Sequence, residues 1–416
     1  MNPWRSLRGL PPAAWIIFTA TLINRAGTMV LPFLVLYVTR SLGYPAAEGG
    51  FAIAVYGIGA IITAPIAGRL CDHLGAVRVM RASLLISGCI LFAFPFASSY
   101  PALLAVTFVW AVTNEAFRPA NLAAIATVVE PGQRKAAFAL IRLAINLGIS
   151  VGPAVGGFLA PLSFHALFYI DGATSILGGV VLVLYGSSIE RRGERVQPGD
   201  ATGHDERALR PATIFADRRL FYFLAAMIPV QIVFFQFSSS LPLFLVQDLA
   251  LKESAFGILL TLNTILIIFL EVALNAATAH WPHRWALAAG SLLYAAGYGA
   301  FALSTGFASA AACVVVWTFG EMILLPSSAA YIAEISPDAK RGVYMGLYTM
   351  SFSVSFALGP WLGTMVFDAF GSRAVWLGAF VLGSIGAALM LWVKGRAAGE
   401  IGEEGDATAI AEIQTG

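Results

Sequence analysis

Charged residues are scarce in this chain of 416 residues: Asp, Glu, Lys and Arg make up 12% of it, whereas hydrophobic residues make up 58%. Polar surface is therefore insufficient to cover a water-soluble globule of this length. The 25 basic and 23 acidic residues leave a net charge of only +2, without a basic patch on one domain, which argues against a nucleic-acid partner. These two shortages predict a membrane protein that does not bind nucleic acid.

Cysteine is also rare, and Cys71, Cys89 and Cys313 fall in or beside separate apolar runs. This spacing favours neither a disulfide framework nor a metal site. The sequence also lacks a nucleophile-base constellation and a phosphate-binding glycine loop. We therefore expect no enzyme activity, no metal and no cofactor.

Twelve apolar runs are each long enough to cross a bilayer as a helix. Numbered in chain order as spans 1 to 12, they cover residues 13–39, 48–69, 79–98, 101–128, 136–160, 166–188, 220–248, 254–279, 284–305, 307–335, 341–368 and 373–394. At its length, span 1 is typical of a membrane helix rather than a cleaved signal peptide. The sequence therefore predicts an all-α protein with twelve transmembrane helices.

Basic residues are distributed unequally between the two sides of this topology. Nineteen of the 25 fall on one side, whereas only Arg40, Lys252 and Arg373 fall on the other. The positive-inside rule then places both termini in the cytoplasm of a multi-pass cell-membrane protein, which we take to be in a bacterial inner membrane. The tail at 395–416 is polar and rich in Gly and Glu, so it is predicted to be disordered.

One long polar stretch, residues 189–219, divides the spans into a first half at 1–188 and a second half at 220–394. The halves repeat each other: "VGPAVG" at 151–156 recurs as "LGPWLG" at 358–363, and Pro119 recurs as Pro326, both shifted by 207 positions. A duplicated six-helix unit predicts two pseudo-symmetric bundles related by an axis normal to the membrane. The stretch 189–219 is then a cytoplasmic linker.

The segment "GRLCDHLGAVR" between spans 2 and 3 carries Gly68, Leu70, Asp72, Gly75 and Arg78. With the twelve spans in two halves, it resembles the loop motif of the major facilitator superfamily. The resemblance implies that these residues form a cytoplasmic gate. In that gate the Asp72 carboxylate would meet the start of span 11, since a helix N-terminus favours an anion; a solvated turn is the simpler alternative.

Further segments are similar to the drug:proton antiporters of that superfamily. "GISVGPAVGG" at 148–157 resembles their span 5 motif, and "QFSSSLP" at 236–242 and "FGEMILLP" at 319–326 resemble lactococcal-type multidrug exporters. The chain departs from the pattern because no arginine stands near Val109 and Trp110, and because serine replaces an acid in the first exporter-like segment. The usual proton route of those exporters is therefore not carried over.

The resemblance implies a monomeric secondary transporter whose partners are a small-molecule substrate, protons and the lipid bilayer. Its expected function is proton-coupled efflux of a small amphiphilic compound by alternating access. Two alternatives remain: transport of an anionic metabolite bound by arginines of the first half, and a membrane scaffold or sensor that transports nothing.

Span 5 carries glycines four positions apart, which form a flat stripe on one helix face and allow close packing in lipid. Pro153 in the same helix permits a kink. We expect spans 5 and 11 to meet the interface between the bundles, although ordinary packing without a gating role is the simpler alternative. The residues assigned to this interface are Gly148, Gly152, Pro153, Gly156, Gly157, Gly359, Pro360 and Gly363.

Ionisable side chains inside spans are costly, at roughly 2.5 kcal/mol or more each, and therefore mark functional candidates. They are Arg25, Glu115, Arg118, Arg142, Asp171, Glu271 and Glu321. Glu115 and Arg118 are three apart, so they are expected to pair, with Arg25 or Arg142 joining them as a structural cluster or a substrate site. Asp171 joins that candidate cluster, unless it is only a helix cap.

Glu321 and Glu271 have no basic residue in the helix interiors of their own half, since the basic residues there lie at span ends. Because low dielectric favours the neutral form of a carboxyl group, such acids are the expected proton carriers, with Glu115 as a third candidate. Five aromatic residues are expected either to line an adaptable cavity or simply to pack against lipid and helices. They are Phe234, Phe235, Phe237, Trp110 and Trp317.

Overall fold

The computed structural model describes residues 9–130, 133–196, 217–337 and 341–393, and every regular element in those ranges is helical. The predicted tail at 395–416 and residues 197–216 of the predicted linker lie outside the described residues. Residues 189–196, also assigned to the linker, continue the helix of span 6. The helical part of the first half is therefore longer than the apolar run alone indicates.

The helices follow the predicted spans closely. In the first half they are Pro12–Ala26 and Val30–Leu36 (span 1), Ala46–Leu74 (span 2), Ala76–Ala93 (span 3), Tyr100–Glu115 and Phe117–Val128 (span 4), Arg134–Leu159 (span 5) and Phe164–Val196 (span 6). In the second half they are Arg218–Phe234 and Ser240–Leu243 (span 7), Glu253–Thr278 (span 8), His283–Ala300 (span 9), Phe307–Ile335 (span 10), Arg341–Phe370 (span 11) and Ser372–Met390 (span 12). Within the described ranges, 11 helical stretches have the length and hydropathy needed to cross a membrane. The all-α membrane architecture is thus confirmed; span 4 is not among these 11 stretches because its two helices, of 16 and 12 residues, are each too short.

Prolines explain two interruptions. Pro119 has no N–H to donate to the carbonyl of Glu115, and its ring crowds that carbonyl, so span 4 breaks at Ala116. Pro242 stands in the same relation to Ser238, and span 7 is irregular between Phe234 and Ser240. The break in span 4 directly follows Glu115, one of the ionisable residues singled out above.

The two halves meet through two helix pairs. Span 2 packs against span 11, and span 5 packs against span 8, whereas the other large helix contacts lie within one half. Spans 5 and 11 therefore both reach the boundary between the halves, but each has a different partner there. Spans 2, 5, 8 and 11 therefore carry the main contacts between the halves.

Gly75 marks one end of the molecule, which we name the inner end; the other, carrying Asp368, is the outer end. Gly75 separates spans 2 and 3 with φ +88°, a left-handed conformation that favours glycine. The positive-inside prediction assigns the inner end to the cytoplasm. This assignment fixes which end of the molecule would face the cytoplasm.

Cysteine labelling tests the orientation. On a background lacking Cys71, Cys89 and Cys313, single cysteines within 191–219 should react with a membrane-impermeant maleimide only from the cytoplasmic side. Cysteines at Arg40 or Lys252 should react only from outside in intact cells. The reverse pattern would contradict the assigned orientation.

Candidate functional site

A polar cluster in the first half surrounds the carboxylate of Glu115, at the break in span 4. The Tyr56 hydroxyl, from span 2, donates a hydrogen bond to Oε1 of Glu115 at 2.7 Å and accepts one from Nδ2 of Asn114 at 2.7 Å. Tyr56 is only 2% exposed. A partly buried carboxylate is thus held by the buried hydroxyl of Tyr56, whose single donor is fully used.

Two arginines flank this cluster without forming the predicted ion pair. The guanidinium of Arg25 lies over the ring of Phe117, with Cζ 5.8 Å from the centroid. Its Nε is buried and has no hydrogen-bond partner among the described residues, while Arg118 is exposed. The expected pairing of Glu115 with Arg118 is therefore wrong: the two side chains form no ion pair, and Glu115 is bonded to a tyrosine of another span.

Asp171 binds backbone rather than an arginine. Its Oδ2 accepts hydrogen bonds from the N–H groups of Met29 and Val30, at 3.1 and 3.2 Å, where the helix of span 1 resumes after Ala26. The side chain is 4% exposed. Asp171 thus satisfies two donors that the interruption of span 1 leaves without helical partners.

Glu321 lies in a second polar cluster, in the second half. Nδ2 of Asn263, from span 8, lies 3.0 Å from Oε2 of Glu321 and 3.0 Å from Oγ1 of Thr318. Glu321 is partly buried, and the described residues provide no basic partner for it. An amide rather than a cation therefore accompanies this carboxylate, in agreement with the expectation for the second half.

Glu271 behaves differently, because its partner comes from the other half. Nη2 of Arg142, in span 5, lies 3.3 Å from Oε1 of Glu271, in span 8. The sequence analysis had offered Arg142 as a member of the Glu115 cluster, and this is wrong. Glu271 has a cationic partner, which comes from the other half. The two residues form an ion pair across the boundary between the halves.

Aromatic rings of the second half form a wall facing Tyr56. Phe235 lies 5.0 Å from Phe356 and 5.0 Å from Phe234 between ring centroids, and Phe356 lies 6.2 Å from Tyr56. Trp110 packs behind Tyr56 at 4.9 Å. Trp317, in contrast, is 2% exposed and stacks on Tyr294, so it belongs to the core of the second half.

The glycine stripe of span 5 faces span 1, within its own half. A Cβ atom on Gly148 would lie 2.3 Å from Cβ of Arg25, and one on Gly152 would lie 2.6 Å from the carbonyl oxygen of Thr28. Gly156 likewise faces Phe33. The interface position predicted for these three glycines is therefore wrong, because the stripe accommodates the interrupted helix of span 1.

Other members of the predicted interface set do reach the opposite half. A Cβ on Gly157 would lie 3.1 Å from Cα of Ser254 in span 8, and one on Gly257 would lie 2.5 Å from the carbonyl oxygen of Pro153. The carbonyl oxygen of Pro360 would be 2.8 Å from a Cβ on Gly50 in span 2.

Gly359 and Gly363 pack instead within their own half. A Cβ on Gly359 would lie 3.1 Å from the carbonyl oxygen of Ile232, and one on Gly363 would lie 1.8 Å from Oε1 of Gln236. Both neighbours belong to span 7, so the interface position predicted for these two glycines is also wrong. The surface between the halves is therefore made by Pro153, Gly157 and Pro360 among the eight predicted residues.

Most of the polar contacts between the halves lie at the outer end. Asp368, near the end of span 11, accepts hydrogen bonds from the backbone N–H groups of Ala46 and Ala47, at 3.3 and 2.6 Å, at the start of span 2. Nη2 of Arg40 lies 3.8 Å from Oε1 of Glu253. The described state is therefore closed at the outer end.

The gate motif at the inner end is exposed where the structure describes it. Asp72 is exposed, and a Cβ added to Gly68 would meet no atom within 4 Å. Nε of Arg78 lies 3.6 Å from Oε1 of Glu190, a residue of its own half. Residues 338–340, just before span 11, lie outside the described residues, so the contact predicted for Asp72 remains a prediction.

Several site residues escaped the sequence analysis. Tyr56, Asn114, Asn263 and Asp368 are polar or amphipathic residues that occur singly within or at the ends of apolar runs. Amide side chains are costly inside a membrane, so Asn114 and Asn263 could have been identified from the sequence as candidates. Tyr56 could not have been identified in this way, because tyrosine is common in membrane helices and its importance depends on the carboxylate beside it.

The model of the Major Facilitator Superfamily matches residues 17–254 and 230–413 of this chain. The chain belongs to that superfamily. Its fold agrees with this assignment, since the crystal structure of the nucleoside transporter NupG is similar with a TM-score of 0.76, covering 93% of this chain and 100% of that one at 14% identity. The chain is thus a membrane transporter of this superfamily.

Relatives in the superfamily have names that indicate exchange or resistance. The chain is 24% identical over 392 residues to a Na(+), Li(+), K(+)/H(+) antiporter of Planococcus maritimus, covering 86% of this chain and 91% of the relative. It is 26% identical over 324 residues to Multidrug resistance protein 1 of Bacillus subtilis (strain 168), covering 77% and 80%. These similarities extend over most of each chain.

Proposed function

We propose that this protein is a proton-driven exporter of small amphiphilic compounds. The observation that carries the proposal is the environment of Glu321, a carboxylate inside span 10 that is bonded to an amide and has no basic partner among the described residues. A membrane-embedded acid without a fixed cation exchanges a proton when its access to water changes. Glu321 is therefore the proposed coupling residue.

Alternating access supplies that change in solvent exposure. The bundles at 1–188 and 220–394 rock about spans 2, 5, 8 and 11, with the inner end facing the cytoplasm. In the state open to the outside, Glu321 loads a proton; in the described state, closed at the outer end, it releases the proton inward and the site takes up substrate. Both events use the same cavity, so proton entry drives substrate exit.

The aromatic wall supports an amphiphilic substrate. Phe234, Phe235 and Phe356 offer apolar surfaces with several ring orientations, which suits ligands of varied shape. The names of the two relatives, one an antiporter that exchanges cations for protons and one a multidrug resistance protein, are consistent with this substrate class and coupling.

A second candidate function is transport of an anionic metabolite. It is favoured by Arg25, whose Nε is buried without a hydrogen-bond partner among the described residues, and by the neighbouring Arg118, which is exposed. A carboxylate or phosphate bound between them would satisfy these donors. The anion would then occupy the first half, away from Glu321.

Transport by the purified protein in proteoliposomes distinguishes the two functions. With an imposed pH gradient, we expect concentrative transport of a lipophilic cation such as ethidium, and no concentrative transport of dicarboxylates or sugar phosphates. Arg118→Ala should leave cation transport within about twofold of the wild type. Gradient-driven transport of an anion that Arg118→Ala abolishes would instead select the second function.

A further inference from the structure

Tyr56 connects the Glu115 carboxylate to the boundary between the halves. Its hydroxyl donates to Oε1 of Glu115 at 2.7 Å. Arg25 of span 1 interacts electrostatically with this carboxylate, but among the described residues Glu115 forms no ion pair. Among the described residues, Tyr56 is thus the donor that fixes the orientation of Glu115.

The ring of the same tyrosine lies between the halves. Its centroid is 4.9 Å from Trp110 in the first half and 6.2 Å from Phe356 in span 11, both in edge-to-face geometry. The next residue is Gly57, on which a Cβ would lie 2.7 Å from Cα of Ala357. Tyr56 therefore sits beside a close approach of spans 2 and 11, and its ring takes part in the contact between the halves.

We propose that Tyr56 is a positioning residue that makes the availability of Glu115 depend on the closure of span 2 against span 11. In the closed state, Phe356 and Trp110 hold the ring from both sides and the hydroxyl occupies Oε1 of Glu115. When the two spans separate, the ring loses Phe356 and Glu115 loses its donor. The carboxyl group is then open to a proton or to a cationic group of the substrate.

This role adds a second conformation-dependent acid to the proposed cycle. Glu321 is bonded to Asn263, an amide of its own half that lacks the ring contact between the halves that Tyr56 makes. Glu115, in contrast, is controlled by a residue at that contact. The role of Tyr56 in transport rests on the proposed function. The difference in Glu115 reactivity between the closed and separated states can be measured without any substrate.

The test is modification of Glu115 by a hydrophobic carbodiimide, followed by mass spectrometry. The closed state is fixed by cross-linking cysteines in Ala47→Cys/Asp368→Cys, positions that are in contact at the outer end. The separated state is provided by Gly50→Leu, since a Cβ there would lie 2.8 Å from the carbonyl oxygen of Pro360. Cys71, Cys89 and Cys313 are replaced beforehand.

We expect Glu115 to react roughly tenfold more slowly in the cross-linked protein than in Gly50→Leu, the factor that one hydrogen bond to a charged group provides. Tyr56→Phe keeps the ring but removes the hydroxyl, so it should abolish the protection in the cross-linked protein. Tyr100→Phe is the matched control, because its hydroxyl also links span 4 to span 2 but bonds the backbone oxygen of Glu48. In cross-linked Tyr100→Phe, Glu115 should therefore remain protected from the carbodiimide.

Transport gives the second readout. Tyr56→Phe should lower the kcat of ethidium efflux by roughly tenfold with KM within about twofold, and should have no further effect in a Glu115→Gln background. Equal losses in both backgrounds would show a merely structural role and overturn the proposal. Continued protection of Glu115 in cross-linked Tyr56→Phe would overturn it as well. If proton-driven efflux is absent but the protection pattern holds, the proposed function fails and this inference stands.

Discussion

Glu321→Gln is expected to abolish concentrative transport driven by a pH gradient while leaving substrate binding and exchange measurable. Gln has nearly the same shape as Glu and can keep a hydrogen bond with Asn263, but it cannot carry a proton across the membrane. Exchange of labelled for unlabelled substrate needs no proton movement, so it should persist. The pattern separates loss of coupling from loss of the binding site.

The measurement compares gradient-driven accumulation and substrate exchange in the same proteoliposomes. Glu334→Gln is the matched control, because Glu334 lies on the same helix but is exposed and bonded to His283. It should retain both activities. Unchanged accumulation in Glu321→Gln would eliminate Glu321 as the coupling residue and leave Glu115 and Glu271 as the next candidates.

Gly57→Leu is expected to reduce transport by roughly tenfold or more without preventing membrane insertion. A Cβ at this position would lie 2.7 Å from Cα and 3.0 Å from the backbone nitrogen of Ala357, and backbone atoms cannot rotate away. Overpacking costs about 1–3 kcal/mol, and 1.4 kcal/mol changes an equilibrium tenfold. Because the clash lies between the halves, its cost falls on the state that is closed at the outer end.

Accessibility of the outer end checks this mechanism. A cysteine at Ala47 should react faster with a membrane-impermeant maleimide in Gly57→Leu than in the wild type, because spans 2 and 11 are held apart. Gly346→Leu, on span 11, is the control, since a Cβ there meets no atom within 4 Å. Full transport with unchanged accessibility in Gly57→Leu would contradict the rocking contact assigned to spans 2 and 11.

Gly148→Leu provides an informative contrast. A leucine side chain there would clash with Arg25, in the same half, so it would destabilise the closed and open states equally. We expect a lower thermal stability of the protein and no shift in the accessibility of Ala47→Cys. If Gly57→Leu and Gly148→Leu had the same effect on the accessibility of Ala47→Cys, the distinction between a contact across the halves and a contact within one half would be contradicted.

The sequence was sufficient to predict those features that depend on one helix at a time, such as the positions of the membrane spans. In lipid every backbone hydrogen bond must be made within the helix, so long apolar runs show where the spans lie. The internal repeat indicated two halves, and the segment from Gly68 to Arg78 indicated the superfamily. Buried charges were also recognisable one by one, because any charge inside an apolar run is costly.

Only the tertiary structure decided which groups these residues contact. Glu115 bonds Tyr56, 59 positions away, and Glu271 pairs with Arg142 across the halves, 129 positions away. Asp171 binds the backbone of span 1, and Asp368 binds the start of span 2. A helical period identifies which residues share a face, but it does not identify the helix that the face meets. That choice depends on how twelve spans pack together, and a partner distant in the chain is selected by the close approach of small residues such as Gly57 and Gly257.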